Sequence, residues 1–392
     1  MYTRKTILIA LLSLTLACII PVGGQPVQES DALPTVTPSA LPSATAFPPQ
    51  PYVYLTPTPG YPDEGFGPTD FPIDINPLTG LSTDPTFLDR RPILVKVSNL
   101  PRDVRPQSGL SRADIVYEYY TEEGTTRFIA IYYSQDAEQV GSIRSARFFD
   151  EHIIRMYRGF FVFGSGDERV RERLYDSDFA DRLIVEWQAE CPALCRPDPV
   201  TNYLMADTAA VHDFIRAQGI PDTRQDLDGM RFQIRPPEGG EPVDQVYAWY
   251  SAVIYNRWDY DPPSGRYYRY VDTENAPDNQ LEAYKPLRDA LGDIPIAADN
   301  VVVLLMPHTF YSVSPEMVEM EFYGSGLAYA FRDGQAYELE WVRKNEAGVY
   351  SLHTTDGKDY PLKPGNTWFE VMGVSTKISQ NETAWRFEMR FP

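Results

Sequence analysis

One stretch, residues 105–147, constrains the fold of this chain most, because charge, turn residues and hydrophobic alternation are densest there. Within it, residues 115–121 and 127–134 alternate between polar and apolar side chains, as half-buried β-strands do. Glu123-Gly124 lies between the two runs and predicts that they form a β-hairpin. The whole stretch predicts a loop, a helical turn, this hairpin and then the start of a helix.

A two-residue turn at this position would set the register of the hairpin. Tyr120 would lie opposite Arg127, and Glu118 would lie diagonal to Arg127 on the same face of the sheet. Because an arginine side chain is long, we expect Glu118 and Arg127 to be within reach of each other.

The strongest indication of a binding site is the pair of cations Arg144 and Arg147 at the predicted start of the helix. Ser145 is the expected N-cap, and a helix N-terminus is unfavourable for cations unless an anion compensates them. A phosphate, sulfate or carboxylate ligand would supply that charge. The residues predicted for this ligand site are Arg144, Ser145, Arg147, Arg127, Glu118 and Asp114.

The alternative is an internal ion-pair network in which carboxylates of the same chain hold the two arginines. The acidic candidates for that network are Asp114, Glu118, Glu122 and Asp150. The sequence leaves both possibilities open.

Composition narrows the class of protein. The hydrophobic share of 43% is sufficient for folded cores, so the chain is not a disordered protein. A net charge of −20 and a pI near 4.6 argue against a nucleic-acid partner, whose phosphates attract basic surfaces.

The N-terminus predicts export and a membrane anchor. Arg4 and Lys5 precede an apolar run over residues 7–20, which is typical of a signal peptide. Cys18 lies where a lipoprotein signal places its lipidated cysteine, although an uncleaved anchor and an incidental cysteine are the alternatives. We predict a lipoprotein-type signal peptide at 1–18 and an extracytoplasmic location, with the protein anchored to the cell membrane.

Residues 19–75 are rich in Pro, Ser and Thr. Such a composition cannot bury a core and favours an extended spacer, so this segment is the predicted disordered tether.

The fold class predicted for the remainder is α+β or mixed α/β. Residues 76–220 alternate strands with helices and include a hairpin, which predicts an α/β domain with a mixed sheet. Residues 221–242 are the expected interdomain connection, and residues 243–392 repeat short strands with turn signals, as a β-rich domain does. Within that second domain, residues 281–291 are the one expected helix.

Aromatic residues are concentrated in the second domain, where they are compatible with carbohydrate binding or with cross-strand packing. The residues concerned are Trp249, Tyr250, Tyr255, Trp258, Tyr260, Tyr267, Tyr268 and Tyr270.

The remaining sequence motifs give only weak indications of catalysis or metal binding. The turn Gly164-Ser165-Gly166-Asp167 matches neither a P-loop nor a nucleophile elbow, so Ser165 or Asp167 is more simply a helix N-cap. The histidines His152, His212, His308 and His353 lack metal-ligand spacing, and His152 could reach the same pocket as the arginine pair. We therefore assign no catalytic residue, no metal and no cofactor.

Cys191 and Cys195 are expected to form a local disulfide in an oxidising compartment.

Five sequence blocks, NPLTGL, RPILVKVSN, RPQSGLSRADIVYE, TRFIAIY and VGSIRSAR, resemble the YerB-like bacterial lipoproteins, a family carrying domain of unknown function 3048. The resemblance implies an N-terminal and a C-terminal module on an exported lipoprotein, without an established activity. Phe163 stands where the family leads us to expect a histidine, so no role can rest on a histidine there.

The function expected from the sequence is therefore a non-catalytic binding or scaffold module of the cell envelope. A receptor for a small anion at Arg144 and Arg147 is the first alternative, and an unrecognised hydrolase is the second. Expected partners are the membrane, through the lipid anchor, and an envelope protein or wall component. The sequence does not determine the oligomeric state.

Overall fold

The computed structural model describes residues 60–197, 201, 203–277 and 281–390, and all of these belong to one compact unit. Cys18, the predicted signal peptide and most of the predicted tether lie outside the described residues. None of the helices in the described ranges has the length and apolar character that crossing a membrane would require.

Helices are short and few residues belong to them. The α-helices are α1 Pro85–Leu88, α2 Asp150–Tyr157, α3 Glu168–Tyr175 and α4 Thr208–Ala217, and 3-10 turns cover Arg102–Val104, Leu110–Arg112 and Ala180–Arg182.

The strands of the first half are β1 Ile93–Ser98, β2 Ile115–Tyr120, β3 Thr126–Tyr132, β4 Val140–Gly141, β5 Phe160–Phe163, β6 Leu183–Val185, β7 Leu194–Cys195 and β8 Met205–Ala206. Those of the second half begin with β9 Arg231–Phe232, β10 Glu241–Pro242, β11 Gln245–Ser251, β12 Ile254–Asp261, β13 Arg266–Asp272, β14 Tyr284–Pro286, β15 Arg288–Asp289, β16 Ile294–Pro295 and β17 Ala297–Ala298. They continue with β18 Asn300–Met306, β19 His308–Val313, β20 Glu316–Met320, β21 Gly324–Arg332, β22 Gln335–Arg343, β23 Ser351–Thr354, β24 Pro361–Leu362, β25 Thr367–Gly373, β26 Lys377–Asn381 and β27 Ala384–Glu388.

The main sheet has eleven strands, in the order β10-β22-β21-β18-β25-β2-β3-β1-β5-β6, with β23 also paired to β22. It takes strands from both predicted domains, because β25 runs parallel to β2 on one side and to β18 on the other. The two segments that the sequence separates at 221–242 therefore share hydrogen bonds across the middle of one sheet.

The predicted mixed sheet is present. β1 pairs with β3 antiparallel and with β5 parallel, so both directions occur within the first half of the chain. Strands account for 41% of the residues and helices for 12%, which makes the fold sheet-dominated. The α/β character expected of residues 76–220 is thus confirmed only in part.

A second sheet of seven strands, in the order β14-β13-β12-β11-β27-β26 with β17 beside β13, covers one face of the main sheet. Trp258 of β12 packs edge-on against Trp368 of β25, with ring centroids 5.2 Å apart. On the opposite face of the main sheet, Phe149 before α2 packs against Tyr119 at 4.6 Å. Because both faces are covered, the central strands β1, β2, β18 and β25 are buried along their whole length.

The prediction of a helix at residues 281–291 is wrong. β14 and β15 occupy this segment, and β14 pairs with β13. Pro286 lies inside the segment and would interrupt a helix, whereas Tyr284 packs its ring against Tyr255 at 5.2 Å. Side-chain packing across the second sheet therefore determines the local structure.

The hairpin is present, but its predicted register is wrong by one residue. Tyr119 pairs with Arg127 and Tyr120 pairs with Thr126, and residues 121–125 form a longer loop than a two-residue turn. A shift of one residue moves side chains to the opposite face of a sheet. Glu118 consequently faces away from Arg127.

Candidate functional site

The site of interest lies where β1 and β5 separate. The two strands pair in parallel as far as Val95 and Val162, and residues 142–146 then enter between their carboxyl ends. The Arg144 backbone N–H donates to the Lys96 carbonyl at 3.0 Å, and the Gly164 N–H donates to the Arg144 carbonyl at 3.0 Å. The carboxyl ends of parallel strands are where open sheets of this kind commonly place ligand sites.

Residues 142–146 are extended, so Arg144 and Ser145 do not begin a helix. The helix predicted to start near Ser145 begins instead at Asp150, and Phe149 at its N-cap position makes no side-chain cap. The backbone of Arg144 is hydrogen-bonded on both sides, to Lys96 and to Gly164. These bonds stabilise the extended conformation, so α2 does not extend back to Ser145.

Four cations collect at this point, and we call Lys96, Arg127, Arg144 and Arg147 the basic cluster. Arg127 pairs with Ser98 across β3 and β1, and Lys96 lies two residues before Ser98, so both cations share one face of the sheet. That face is the one covered by α2.

Arg127 and Arg147 are both paired with Glu122 from the β2–β3 loop. Arg127 Nη2 lies 2.9 Å from Glu122 Oε1, while Arg147 approaches both carboxylate oxygens, with Nε 2.6 Å from Oε2 and Nη2 against Oε1. Burial opposes ionisation of Glu122, but the hydrogen bond from Arg147 and the charge of Arg127 lower its pKa overall.

Arg144 has a different environment. Its Nε donates to the Ser98 hydroxyl at 3.1 Å, and among the residues that the structure describes no carboxylate lies within salt-bridge distance of it. Its charge nevertheless acts on Arg127, another member of the basic cluster. The pKa of Arg127 is lowered to about 10, first by burial and then by repulsion from Arg147 and Arg144.

A buried ion pair lies beneath these arginines. Lys96 Nζ lies 2.8 Å from Asp150 Oδ1, and both side chains are fully buried. The Tyr119 hydroxyl also donates to Asp150 Oδ1, and the Arg147 backbone N–H donates to Oδ2 at 2.7 Å. Burial lowers the pKa of Lys96 to about 7, with Asp150 opposing the shift and Arg127 adding to it.

Of the acidic residues predicted for the site, Asp114 and Glu118 lie elsewhere. Asp114 accepts backbone N–H bonds from Tyr133 at 2.6 Å and Ser134 at 2.8 Å, and burial raises its pKa to about 6. Ser145 contributes its carbonyl, which accepts from Arg127 Nη1 at 2.6 Å. The acids at the basic cluster are instead Glu122 and Asp150, which belong to the alternative network considered from the sequence.

Glu118 belongs to a second buried group, the central ion triad of Arg269, Glu118 and Glu370. Arg269 Nη1 donates to Glu370 Oε1 at 2.9 Å, Arg269 Nη2 donates to Glu118 Oε2, and all of these side chains are fully buried. Further donors to the two carboxylates are the side chains of Asn99, Thr126, Tyr250, Asn256 and Trp258.

The central ion triad connects the two sheets, and sequence reasoning did not find it. Glu118 lies on β2, Glu370 on β25 and Arg269 on β13, so the partners are far apart along the chain. The available signal was the presence of a single charged residue in each of the apolar runs IVYEYY and TWFEVMG. We assign the triad a structural role because no part of it reaches the surface.

The turn at residues 164–167 acts as a helix cap. Asp167 accepts the Arg169 backbone N–H at 3.0 Å and so caps α3, while Ser165 is exposed. His152 faces away from the basic cluster, with Nε2 2.9 Å from the Met320 carbonyl and its other ring nitrogen near Arg343. It lines a cleft of about 670 Å³ together with Arg155, Arg173 and Glu319.

One arrangement has the connectivity of a nucleophilic triad. Ser351 Oγ lies 2.8 Å from His353 Nε2, and His353 Nδ1 lies 3.4 Å from Asp359 Oδ1. Ser351 and His353 are alternate residues of β23, so the strand pleat alone brings their side chains together. The Ser351 hydroxyl is also within 3.5 Å of the Val342 carbonyl. We therefore assign it no catalytic role.

Within the described ranges, no group of three or more His, Cys, Asp or Glu side chains has the arrangement of a metal site. Cys191 and Cys195 form a disulfide, with their Cα atoms 4.9 Å apart.

Two family models match the chain. One is described as "Protein of unknown function (DUF3048) N-terminal domain" and matches residues 78–207, and the corresponding C-terminal domain matches residues 246–369. A relative from Bacillus subtilis (strain 168), named "Putative lipoprotein YerB", is 29% identical over 312 residues, covering 76% of this chain and 85% of its own. The crystal structure of the YerB protein from Bacillus subtilis has a similar fold, with a TM-score of 0.62, 24% identity, and coverage of 76% of this chain and 96% of that one.

Proposed function

The chain belongs to the DUF3048 family of proteins of unknown function, and we propose that it is an exported, lipid-anchored envelope protein with a non-catalytic binding role. The predicted signal peptide, Cys18 and the Pro-rich tether support the anchor, and the name of the Bacillus relative contains the word lipoprotein. A lipidated cysteine followed by such a spacer would hold the folded unit away from the membrane surface.

We infer that the ligand carries a carboxylate or phosphoryl group and binds at the basic cluster. The observation that carries this inference is the environment of Arg144, whose Nε contacts a neutral hydroxyl and whose positive charge acts on the neighbouring Arg127. Like charges held together are unfavourable unless an anion compensates them, and guanidinium groups are well suited to oxyanions. Four cations against the carboxylates of Glu122 and Asp150 leave an excess of positive charge in an acidic protein.

Binding is favoured over catalysis because groups with catalytic potential are already engaged. Asp167 caps a helix, and His152 contacts a main-chain carbonyl with a pKa that burial lowers to about 4. Neither is available as an acid or base near the arginines.

Calorimetric titration of the full chain in detergent with sodium phosphate, at constant ionic strength, tests the ligand site. We expect saturable binding, and an increase in Kd of at least about tenfold in Arg144→Gln, because hydrogen bonds to charged groups contribute about 1.5–3 kcal/mol.

Arg112→Gln is the matched control, since Arg112 is exposed at the other end of β2 and bonds the neutral Gln135. Equal affinities in wild type, Arg144→Gln and Arg112→Gln would exclude the basic cluster as the phosphate site. The same series with sodium acetate measures whether a carboxylate is preferred.

Replacing Cys18 tests the anchor independently of the ligand. We expect Cys18→Ser to lose the incorporation of radiolabelled palmitate in expressing cells, since a serine cannot carry the thioether-linked lipid. Ser13→Ala, in the same apolar run, is the control and should be labelled like wild type. If Cys18→Ser is labelled as strongly as wild type, the protein is not held by a lipid on this cysteine.

A further inference from the structure

Glu122 is held at the basic cluster by a loop that has anchors of its own. The Thr121 N–H donates to the Thr125 carbonyl at 2.8 Å, and the Gly124 N–H donates to the Tyr120 hydroxyl at 2.9 Å. The Ser251 hydroxyl donates to the Gly124 carbonyl at 2.6 Å. These bonds fix the backbone of residues 121–125 without the Glu122 carboxylate, so the side chain can change rotamer while the loop stays in place.

The contact between Arg147 and Glu122 has the geometry with which arginine binds an oxyanion. Arg147 Nε and Nη2 donate in parallel to the two carboxylate oxygens of Glu122, and Arg127 adds a third donor to Oε1. A phosphoryl group or a carboxylate can reproduce this fork, whereas a halide ion cannot accept at two separate atoms. The Glu122 side chain keeps 24% of its surface exposed, so solutes reach it.

We propose that the Glu122 carboxylate is an internal occupant of the anion site, and that the phosphoryl or carboxylate group of a ligand displaces it from Arg147 and Arg127. This inference rests on the proposed function. The exchange is favourable because the displacing group would gain Arg144, which has no carboxylate partner among the described residues, in addition to the two arginines that Glu122 already neutralises.

The consequence is a site whose apparent affinity is reduced by its own side chain. When only a fraction of molecules has Glu122 displaced, the apparent Kd equals the intrinsic Kd divided by that fraction. Glu122→Gln removes the competing charge and retains the shape of the side chain. We expect it to lower the Kd for inorganic phosphate at least tenfold relative to wild type.

Glu123→Gln is the matched control. It makes the same change in net charge on the adjacent residue, and Glu123 is exposed and forms no ion pair of its own in the described part of the chain. If phosphate binds more tightly only because the loop is less negative, both variants will gain affinity equally. We expect the gain in Glu122→Gln alone.

The readouts are calorimetric titration of the full chain with sodium phosphate and the phosphate-dependent rise in its melting temperature. The second readout reports that each variant is folded, and a ligand that binds only the native state raises the melting temperature further as its free concentration increases relative to its Kd. Adding Arg144→Gln to Glu122→Gln should return the Kd to the wild-type value or above.

The outcomes separate this inference from the proposed function. If wild type binds phosphate and Glu122→Gln binds no more tightly than Glu123→Gln, Glu122 is not a competitor, although the receptor function stands. If none of the three proteins binds, both proposals fail. Binding by Glu122→Gln with none detectable in wild type would support the competitor directly.

Discussion

Replacing Arg269 with Met is expected to destabilise the protein by about 3–5 kcal/mol, because it leaves two buried carboxylates without their counter-charge. Glu118 and Glu370 are both fully buried and both depend on this one guanidinium. Urea unfolding of the full chain, followed by tryptophan fluorescence at pH 8, measures the loss. Trp258 and Trp368 lie beside the Arg269 guanidinium, at 5.1 and 4.4 Å, and so report on its environment.

Arg288→Met is the control for this experiment, because Arg288 forms an exposed ion pair with Asp293 in the same half of the chain. Exposed pairs contribute about 0–1 kcal/mol, so the control should be nearly neutral. Adding Glu118→Gln and Glu370→Gln to Arg269→Met should recover part of the loss, since neutral amides cost less to bury. A loss in Arg269→Met no larger than that of the control would contradict the structural role of the triad.

The same variant should show a characteristic pH dependence. Burial raises the pKa of Glu118 from 4.5 to about 7, against the opposing charge of Arg269. Because this folded-state pKa is raised, the contribution of Glu118 to stability is fully present below pH 4.5 and is lost as the pH rises through 7. Without Arg269 the pKa rises further, so Arg269→Met should be least stable above pH 7 and should regain stability towards pH 5.

The second large effect is expected from Lys96→Met, which leaves the buried Asp150 unpaired beneath the basic cluster. We expect a loss of about 3 kcal/mol, at the lower end for a broken buried pair, because Asp150 keeps its bonds from Tyr119 and the Arg147 N–H. Urea unfolding at pH 6 is the measurement, since Lys96 is protonated there. Adding Asp150→Asn should restore most of the stability if the unpaired charge is the cause.

Lys96 also titrates in the opposite sense to Glu118. Burial lowers its pKa from 10.5 to about 7, so its contribution to stability is present above pH 10.5 and is lost as the pH falls through 7. The wild type should therefore become less stable between pH 10.5 and 7 by a component that Lys96→Met lacks. Parallel pH profiles for the two proteins over this range would contradict the assignment.

Strands that are buried on both faces could be predicted well from the sequence. The largely apolar runs at residues 93–97, 160–163 and 300–306 indicate strands, and β1, β5 and β18 agree with these runs within one residue. Continuous β-branched and aromatic runs leave little choice of structure when both faces are covered. The position of β25 between β2 and β18 could not be predicted, because no local pattern specifies which distant strand completes a sheet.

The structure gives the arginines of the candidate site other partners than those that the sequence predicts. The hairpin register could not be predicted because residues 121–125 contain no Asn-Gly or Asp-Gly turn. A shift of one residue places Tyr119 instead of Tyr120 opposite Arg127 and moves Glu118 to the other face of the sheet. The helix was placed too early because the competing sheet hydrogen bonds of Arg144 come from Lys96 and Gly164, which are distant in sequence. The density of charged residues in the sequence indicated where the arginines would gather. Contacts between distant parts of the chain determine which partners they have.

The location of β25 bears on how the protein is made. It lies at the centre of the main sheet yet is among the last strands in the chain, and it hydrogen-bonds β2 on one side and β18 on the other. Until residues 367–373 have been synthesised, the edges of β2 and β18 lack their common neighbour, so early folding of the first half is incomplete. Pairings of such long sequence separation form slowly. For a chain predicted to carry an export signal, we expect this order of assembly to delay completion of the main sheet until the last part of the chain is available.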